Sequence, residues 1–385
     1  MSPETLQRAN ELAQRFIILD GHIDLPWRLS LLHFKPTKEF LQLPVLSKEG
    51  DFDYMRAKQG GLSAAFMAIY IPASFQDNAH AARAEADALI DMVNTIIEAH
   101  PDKFAQALTP EMIEANSKNG LISLPLGLEN GTPVQTADDL NYFFQRGIRY
   151  ITLTHAKDNH ICDSSYDTSR TWKGLSNFGK KLVRHMNDTG MIIDVSHISD
   201  DAFYQVIEIS ETPVVATHSS CRAFTPGWER NMSDDMIRLL AEKNGIIQIN
   251  FGSDFLDADV AAKRSARRHA LNGLLQVAGI KPDEPAAKSI IDQFNIQNPD
   301  FYSDLQKVAD HFDHVRSIAG IDHIGIGSDF DGLGDSLPAG LKDVSMFPNL
   351  IAELLDRGYT DEDIEKICYT NFRRVWLEII NHATS

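Results

Sequence analysis

Alternation is the feature that most constrains what this chain can fold into. Short, continuous apolar runs recur at residues 16–22, 62–70, 121–128, 149–154, 191–196, 213–217, 246–251 and 323–328. Runs of that length and character suit strands buried on both faces, as in a parallel sheet covered by helices. Between most of them lie amphipathic segments of helical length: 79–99, 136–146, 175–189, 200–209, 233–243 and 302–319. Ser233 followed by Asp234 and Asp235 reads as an N-cap with an acidic first turn. Eight strands alternating with helices predict a (β/α)8 TIM-type barrel. A doubly wound open sheet is the competing α/β solution. The barrel is favoured because residues capable of chemistry stand at strand exits from one end of the chain to the other. A closed barrel gathers those exits at one mouth; an open sheet would leave the first and last far apart.

The 385 residues, 43% of them hydrophobic, are enough for one large core, so residues 1–385 are read as a single domain. Two stretches break the alternation. Residues 25–60 form a long connection containing Pro26, Pro36 and Pro44, and about 252–301 form a helical insertion after the seventh strand. The insertion carries Lys263-Arg264-Ser265-Ala266-Arg267-Arg268-His269, which in so acidic a protein reads as a solvated helix face, with a lid over the barrel mouth as the alternative. Acids outnumber bases by 54 to 36, a net charge of −18 that repels nucleic acid and anionic membrane. No apolar run reaches the roughly 18 residues of a bilayer span, and the first residues lack the pattern of a signal peptide. Cys162, Cys221 and Cys368 are odd in number and widely spaced, which suggests neither a disulfide framework nor a thiolate zinc site. A reducing, cytoplasmic setting is expected.

The strand exits carry the chemistry. The first strand ends in Asp20-Gly21-His22-Ile23-Asp24, and alternation along a strand points His22 and Asp24 to one side. The third exits at Glu129, the fourth at His155, the fifth at His197, the sixth at His218 and the eighth at Asp329. Each alone reads as a packed residue or a turn polar group; Glu129 precedes Asn130-Gly131, and Asp329 lies two residues before an Asp-Gly pair. Together they would place four histidines and three carboxylates in one barrel mouth, where catalytic groups of this architecture sit. Imidazole and carboxylate suit zinc or a similar divalent ion. Three histidines and two carboxylates exceed one tetrahedral ion and suit two ions with a shared carboxylate, an arrangement that points to hydrolysis. Other polar residues read differently. His160 reads as a solvated loop histidine, with a substrate contact as the alternative, His323 is structural, Asp20 and Asp194 orient ligands or hold strand ends, and Asp331 caps the turn after Asp329.

At these residues the chain resembles the membrane dipeptidase (renal dipeptidase) family, a branch of the amidohydrolase-type barrels, from about residue 16 to about 376. The matching segments are Asp20–Pro26, Arg149–His155, Asp194–His197, Thr217–Ser220, Arg230–Asp235, Gly327–Gly332, Asp343–Ser345 and Asn371–Val375. The resemblance implies two zinc ions, with His22 and Asp24 on one, His197 and His218 on the other, and Glu129 bridging. It implies that His155 meets the substrate carbonyl and its oxyanion, that Arg230 binds the carboxylate of a dipeptide through a planar fork of donors, and that Asp329 is the acid/base. A bridging hydroxide would attack the peptide carbonyl, and L-Xaa-D-Xaa dipeptides would be accepted.

Two departures stand out. Asn130-Gly131 replaces the two glycines of many relatives, and Gly252 stands where the renal enzymes carry a tyrosine. Those enzymes are lipid-anchored, but this sequence ends Asn381-His382-Ala383-Thr384-Ser385 without an apolar tail, so no membrane anchor is expected. Relatives are often dimers, and a homodimer is the assembly the resemblance suggests. The alternative activities are a related amidohydrolase reaction on N-acyl amino acids or cyclic amides, or, in a different class, a non-catalytic barrel that keeps its ion for stability.

Overall fold

Each of the eight apolar runs becomes a strand, and one becomes two. The structure is a computed structural model that describes residues 2–282 and 284–384. Its strands are β1 (Ile18–Ile23), β2 (Leu62–Tyr70), β3 (Phe104–Ala105), β4 (Ile122–Ser123), β5 (Leu126–Glu129), β6 (Ile148–Thr152), β7 (Ile192–Asp194), β8 (Val215–Ser219), β9 (Ile246–Ile249) and β10 (Ile324–Ile326). All pair in parallel, in the order β1-β10-β9-β8-β7-β6-β5-β2, and β2 returns to β1 to close an eight-stranded barrel. The split falls in the predicted 121–128 strand. Pro125 has no N–H to give to a ladder; its carbonyl accepts from Met67 N at 2.8 Å. β5 continues along the second half of β2, while β4 pairs at Ala64 and carries β3 on its outer edge. β3 was not foreseen, being too short to leave a periodic signal.

The predicted helices stand close to their expected bounds, at Ala79–Ala99, Ala137–Gln145, Asn177–Thr189, Asp200–Ile209, Asp234–Glu242 and Leu305–Ala319. Ser233 caps the fifth, its hydroxyl accepting from Met236 N. Two apolar layers result. One face of the strands packs outward on the helices. From the other, Leu19, Phe66, Tyr150, Ile192, Val215 and Ile246 form a second cluster with Phe372, Val375, Trp376 and Ile379 of the C-terminal helix Asn371–Ala383. Each large side chain so buried contributes about 1.5–3 kcal/mol. That inner cluster is the base on which the mouth is built.

The insertion region contains helices Ser253–Leu256, Ala258–Ala278 and Ala287–Gln297. Its basic run is not simply solvated. Arg264 is buried between Asp254 (2.8 Å) and Asp300 (2.9 Å), and Arg268 also reaches Asp254 at 3.0 Å. Asp331 does not cap its own turn either. Its backbone N–H donates to Asp51 Oδ2, its Oδ1 accepts from Asp51 N, and Arg28 Nε lies 3.3 Å from its Oδ2. It therefore ties the 25–60 connection to the end of β10, and burial pushes its carboxyl up to about 7. The three cysteines are buried and unpaired. Among the described residues no helix is long and apolar enough to cross a membrane.

Candidate active site

Barrel closure brings together the residues that the sequence scatters over some three hundred positions. His22 lies in β1, Asp24 stands just before the helix that follows it, Glu129 ends β5 and His218 lies in β8. His155, His197 and Asp329 each stand three residues beyond the last residue of β6, β7 and β10. Asp329 is drawn to β1 by its own N–H, which donates to His22 O at 3.1 Å, and by Asp24 N, which donates to Phe330 O at 2.8 Å.

Glu129 is the centre of the arrangement. Its Oε2 lies 3.4 Å from His22 Nε2, while its Oε1 lies 3.2 Å from His197 Nε2, 3.3 Å from His218 Nε2 and 3.7 Å from His155 Nε2. The two oxygens of one carboxylate thus face different sets of imidazoles. Asp24 Oδ2 adds a further potential ligand atom 3.3 Å from His22 Nε2. Three groups of potential ligand atoms lie within 4.8 Å of one another: His22/Glu129/His218, Glu129/His155/His197 and His22/Asp24/Asp329. Two further observations fit a cation cage. His22 Nε2 is buried without a hydrogen-bond partner, and the Nε2 atoms of His197 and His218 converge to 2.8 Å.

The rings are set from behind. Thr217 Oγ1 donates to Asp194 Oδ2 (2.7 Å), so at 2.8 Å it must accept from His218 Nδ1–H, leaving the Nε2 lone pair for the mouth. Asp194 also accepts from Thr152 Oγ1, Ser196 N and Thr217 N, tying three strand ends together. Asp20 does the same for β1 and β10 through His22 N and Ser328 N. His22 Nδ1 is held by the Tyr150 hydroxyl at 2.8 Å, and the Tyr150 ring rests on Phe66 of the inner core. Core packing thereby sets the angle of an imidazole in the mouth.

Burial depresses the basicity of His155, His197 and His218, keeping them in the neutral form that can donate a lone pair. Burial opposes ionisation of Glu129, yet the charge of His22, whose own basicity is raised by its neighbours, holds it well below the usual carboxylate range. Asp329 is pushed well above that range by burial and by the neighbouring Asp24. Its Oδ2 accepts from Asn250 Nδ2 at 2.8 Å. Non-glycine residues at φ 71° (His197) and 63° (Asp329) carry backbone strain of about 1–3 kcal/mol each, the kind that surrounding structure must over-determine. Gly332 is required here, because a Cβ would fall 2.3 Å from Asp24 Oδ2 and 2.4 Å from Asp329 Oδ1.

Arg230 lies deeper than a surface clamp. It is buried, donating Nη1–H to Ser219 Oγ and Nη2–H to His218 O, both at 2.7 Å. Its Nε is buried with no partner. The open mouth, a cavity of about 520 Å³, is walled by Trp27, Tyr70, Tyr166, Phe255 and Leu333 above Asp24, Glu129, His155 and Asp329. Asn130 adopts φ 73°, a left-handed conformation Asn tolerates. Its side chain is tied down by Ile71 O, Thr132 and Asn159.

The sequence model of the membrane dipeptidase family (peptidase family M19) matches residues 6–385, the barrel and the whole of this mouth. The chain belongs to that family. The enzyme is 30% identical over 359 residues to dipeptidase tcpJ of Claviceps purpurea (strain 20.1), covering 91% of this chain and 73% of that protein. Its fold superposes on the probable dipeptidase PvdM from Pseudomonas aeruginosa with a TM-score of 0.83 at 27% identity, over 99% of this chain and 100% of the other. A metallopeptidase from Rhodobacter sphaeroides, solved with a phosphinate mimic of L-Ala-D-Ala, has a TM-score of 0.76 at 24% identity, over 94% and 99% of the two chains. The enzyme is therefore a hydrolase of the dipeptidase family on a (β/α)8 barrel, and the family implies a metal.

Sequence reasoning passed over Tyr70 and Asn250, which stand at the exits of β2 and β9. The same strand-exit rule would have found them had amides and phenols been counted beside imidazoles and carboxylates. Tyr166 and Phe255 left no signal, since they reach the mouth from loops and from the insertion. His160 is not a free loop histidine: Nε2 lies 2.8 Å from Val134 O and its ring packs on Phe178.

Proposed function

We propose that the enzyme is a zinc-dependent dipeptidase that hydrolyses the peptide bond of dipeptides, L-Xaa-D-Xaa among them, with two ions in the mouth. The observation that carries this reading is Glu129, whose two oxygens face separate imidazole sets. His22 and Asp24 would hold one ion, His197 and His218 the other, and Glu129 both. Two divalent ions there would supply Lewis acidity and make water a nucleophile at neutral pH. The remaining chemistry belongs to the protein. Arg230 takes the substrate carboxylate on N–H groups left free by Ser219 and His218 O, its unpartnered Nε among them, and so demands a free carboxylate one residue beyond the scissile bond. This requirement suits a dipeptidase and excludes endopeptidase action. His155 donates to the carbonyl oxygen as negative charge develops. Asp329, steadied by Asn250, accepts the proton of the attacking water and delivers it to the leaving nitrogen. Three buried, unpaired thiols support a cytoplasmic setting.

The test is a screen of zinc-loaded protein against L,L-, L,D- and D,D-dipeptides beside N-acyl amino acids and cyclic amides, with metal content measured in parallel. Cleavage of L,L- and L,D-dipeptides by protein carrying two ions per chain is expected. Cleavage confined to N-acyl amino acids or cyclic amides would replace this reading with the related amidohydrolase reaction.

A further inference from the structure

A second cavity, of about 540 Å³, adjoins the mouth and is as large as the mouth itself. Tyr166 and Phe255 line both, so they form the wall between the two. Arg230 lies at that wall. Its guanidinium stands 5.1 Å from the Phe255 ring centre, and its charge acts on the Tyr166 hydroxyl. Beyond the wall the Trp228 ring packs edge-on against Phe255 at 4.8 Å. Ala258 and Ala261, one turn apart on the insertion helix, leave the opposite side open. Gly252 shapes this region too: a Cβ there would come within 2.8 Å of Phe255 Cδ2, so the glycine lets that ring settle into the wall.

The charged groups of the cavity are already paired. Asp254 gives one oxygen to Arg264 (2.8 Å) and the other to Arg268 (3.0 Å), and Thr225 Oγ1 accepts from Asn231 Nδ2 (2.8 Å). What the cavity offers an occupant is therefore aromatic and aliphatic surface with its charges internally cancelled. A charged side chain would have to break one of these pairs to enter.

We propose that this second cavity is the side-chain subsite for the C-terminal residue of the substrate, and that it selects a large apolar, above all aromatic, residue. The inference rests on the dipeptidase reading and on the Arg230 clamp. A carboxylate held at Arg230 puts the adjoining Cα at the Tyr166–Phe255 wall, with the scissile carbonyl on the Glu129 side and the side chain free to point to the Trp228 side. Glycine or alanine at that position leaves the cavity to water, whereas an indole or phenyl ring buries its faces against Trp228 and Phe255. Burial of an aromatic side chain corresponds to roughly tenfold or more in kcat/KM.

The experiment measures kcat/KM of the zinc-loaded full chain for L-Ala-Gly, L-Ala-Leu, L-Ala-Phe and L-Ala-Trp, the last three with both L and D C-terminal residues. The wild-type Trp/Gly ratio, taken with the better enantiomer, is expected at about ten or above. Ala261→Leu, a helix-compatible change that fills the cavity, should lower that ratio by roughly tenfold; the ratio is insensitive to the fraction of active protein. A wild-type ratio at or below one, or a ratio untouched by Ala261→Leu, overturns the subsite while leaving the dipeptidase reading intact. Failure to cleave any of these dipeptides overturns both.

Discussion

His311 offers a quantitative test of how tightly the rim of the mouth is built. It lies in the helix Leu305–Ala319, fully buried. Its Nδ1 accepts from Cys221 N at 3.0 Å, three residues beyond His218, and its Nε2–H faces Leu256 O at 3.1 Å, next to Phe255. One neutral ring thus fastens the β8 exit to the insertion. Burial lowers its pKa from 6.5 to about 4. A depressed pKa means that the unfolded chain binds the proton first, so the stabilisation is complete above pH 6.5 and is lost as the pH falls from there to about 4. At about 1.4 kcal/mol per unit, the interval of about 2.5 units corresponds to about 3 kcal/mol, a large share of the stability of any domain. The assay compares urea unfolding of wild type and His311→Gln from pH 8 to 4. Taking the difference between them cancels the titration of the groups that both proteins share, the metal-site residues included. The wild-type advantage should be constant above pH 7 and shrink by about 3 kcal/mol by pH 4. A difference that stays flat would refute the claim that a buried, neutral ring holds this rim.

Other outcomes follow from the mouth. Asp329→Asn should lower kcat by roughly 10²–10⁴-fold with both ions still bound by elemental analysis; near-normal turnover would reject the proton-transfer role. Arg230→Ala should raise KM for free dipeptides, and an unchanged KM would remove the carboxylate clamp. Tyr150→Phe deletes the partner of His22 Nδ1 and should weaken zinc binding by roughly 10–100-fold in a chelator competition. Gly332→Ala places a methyl against Asp24 and Asp329, so activity should fall sharply while the thermal midpoint of the metal-free protein changes little.

Local pattern was enough to expose the barrel, because a strand buried on both faces must be apolar throughout and the helix that follows it must be amphipathic. The same logic exposed His22, Asp24, Glu129, His155, His197, His218 and Asp329, since ligand-type residues at the ends of six of the eight apolar runs have few structural reasons to recur there. Asp331 and the basic run of the insertion were misread for one reason: their partners, Asp51, Asp254 and Asp300, are remote in sequence or belong to other elements. No spacing rule reveals a charge pair made by tertiary packing.

The amino-acid order by itself determined which imidazoles and carboxylates stand at the strand exits, because side-chain identity and strand periodicity are local properties. Only the closed fold decided how they act. The opposite orientations of the Glu129 oxygens, the grip of Thr217 on His218, the seat of Tyr150 on the inner core and the aromatic wall between two cavities all arise where the ring of strands meets its loops. Distances between atoms far apart along the chain are set there by packing density and hydrogen-bond geometry, and no property of any single segment encodes them.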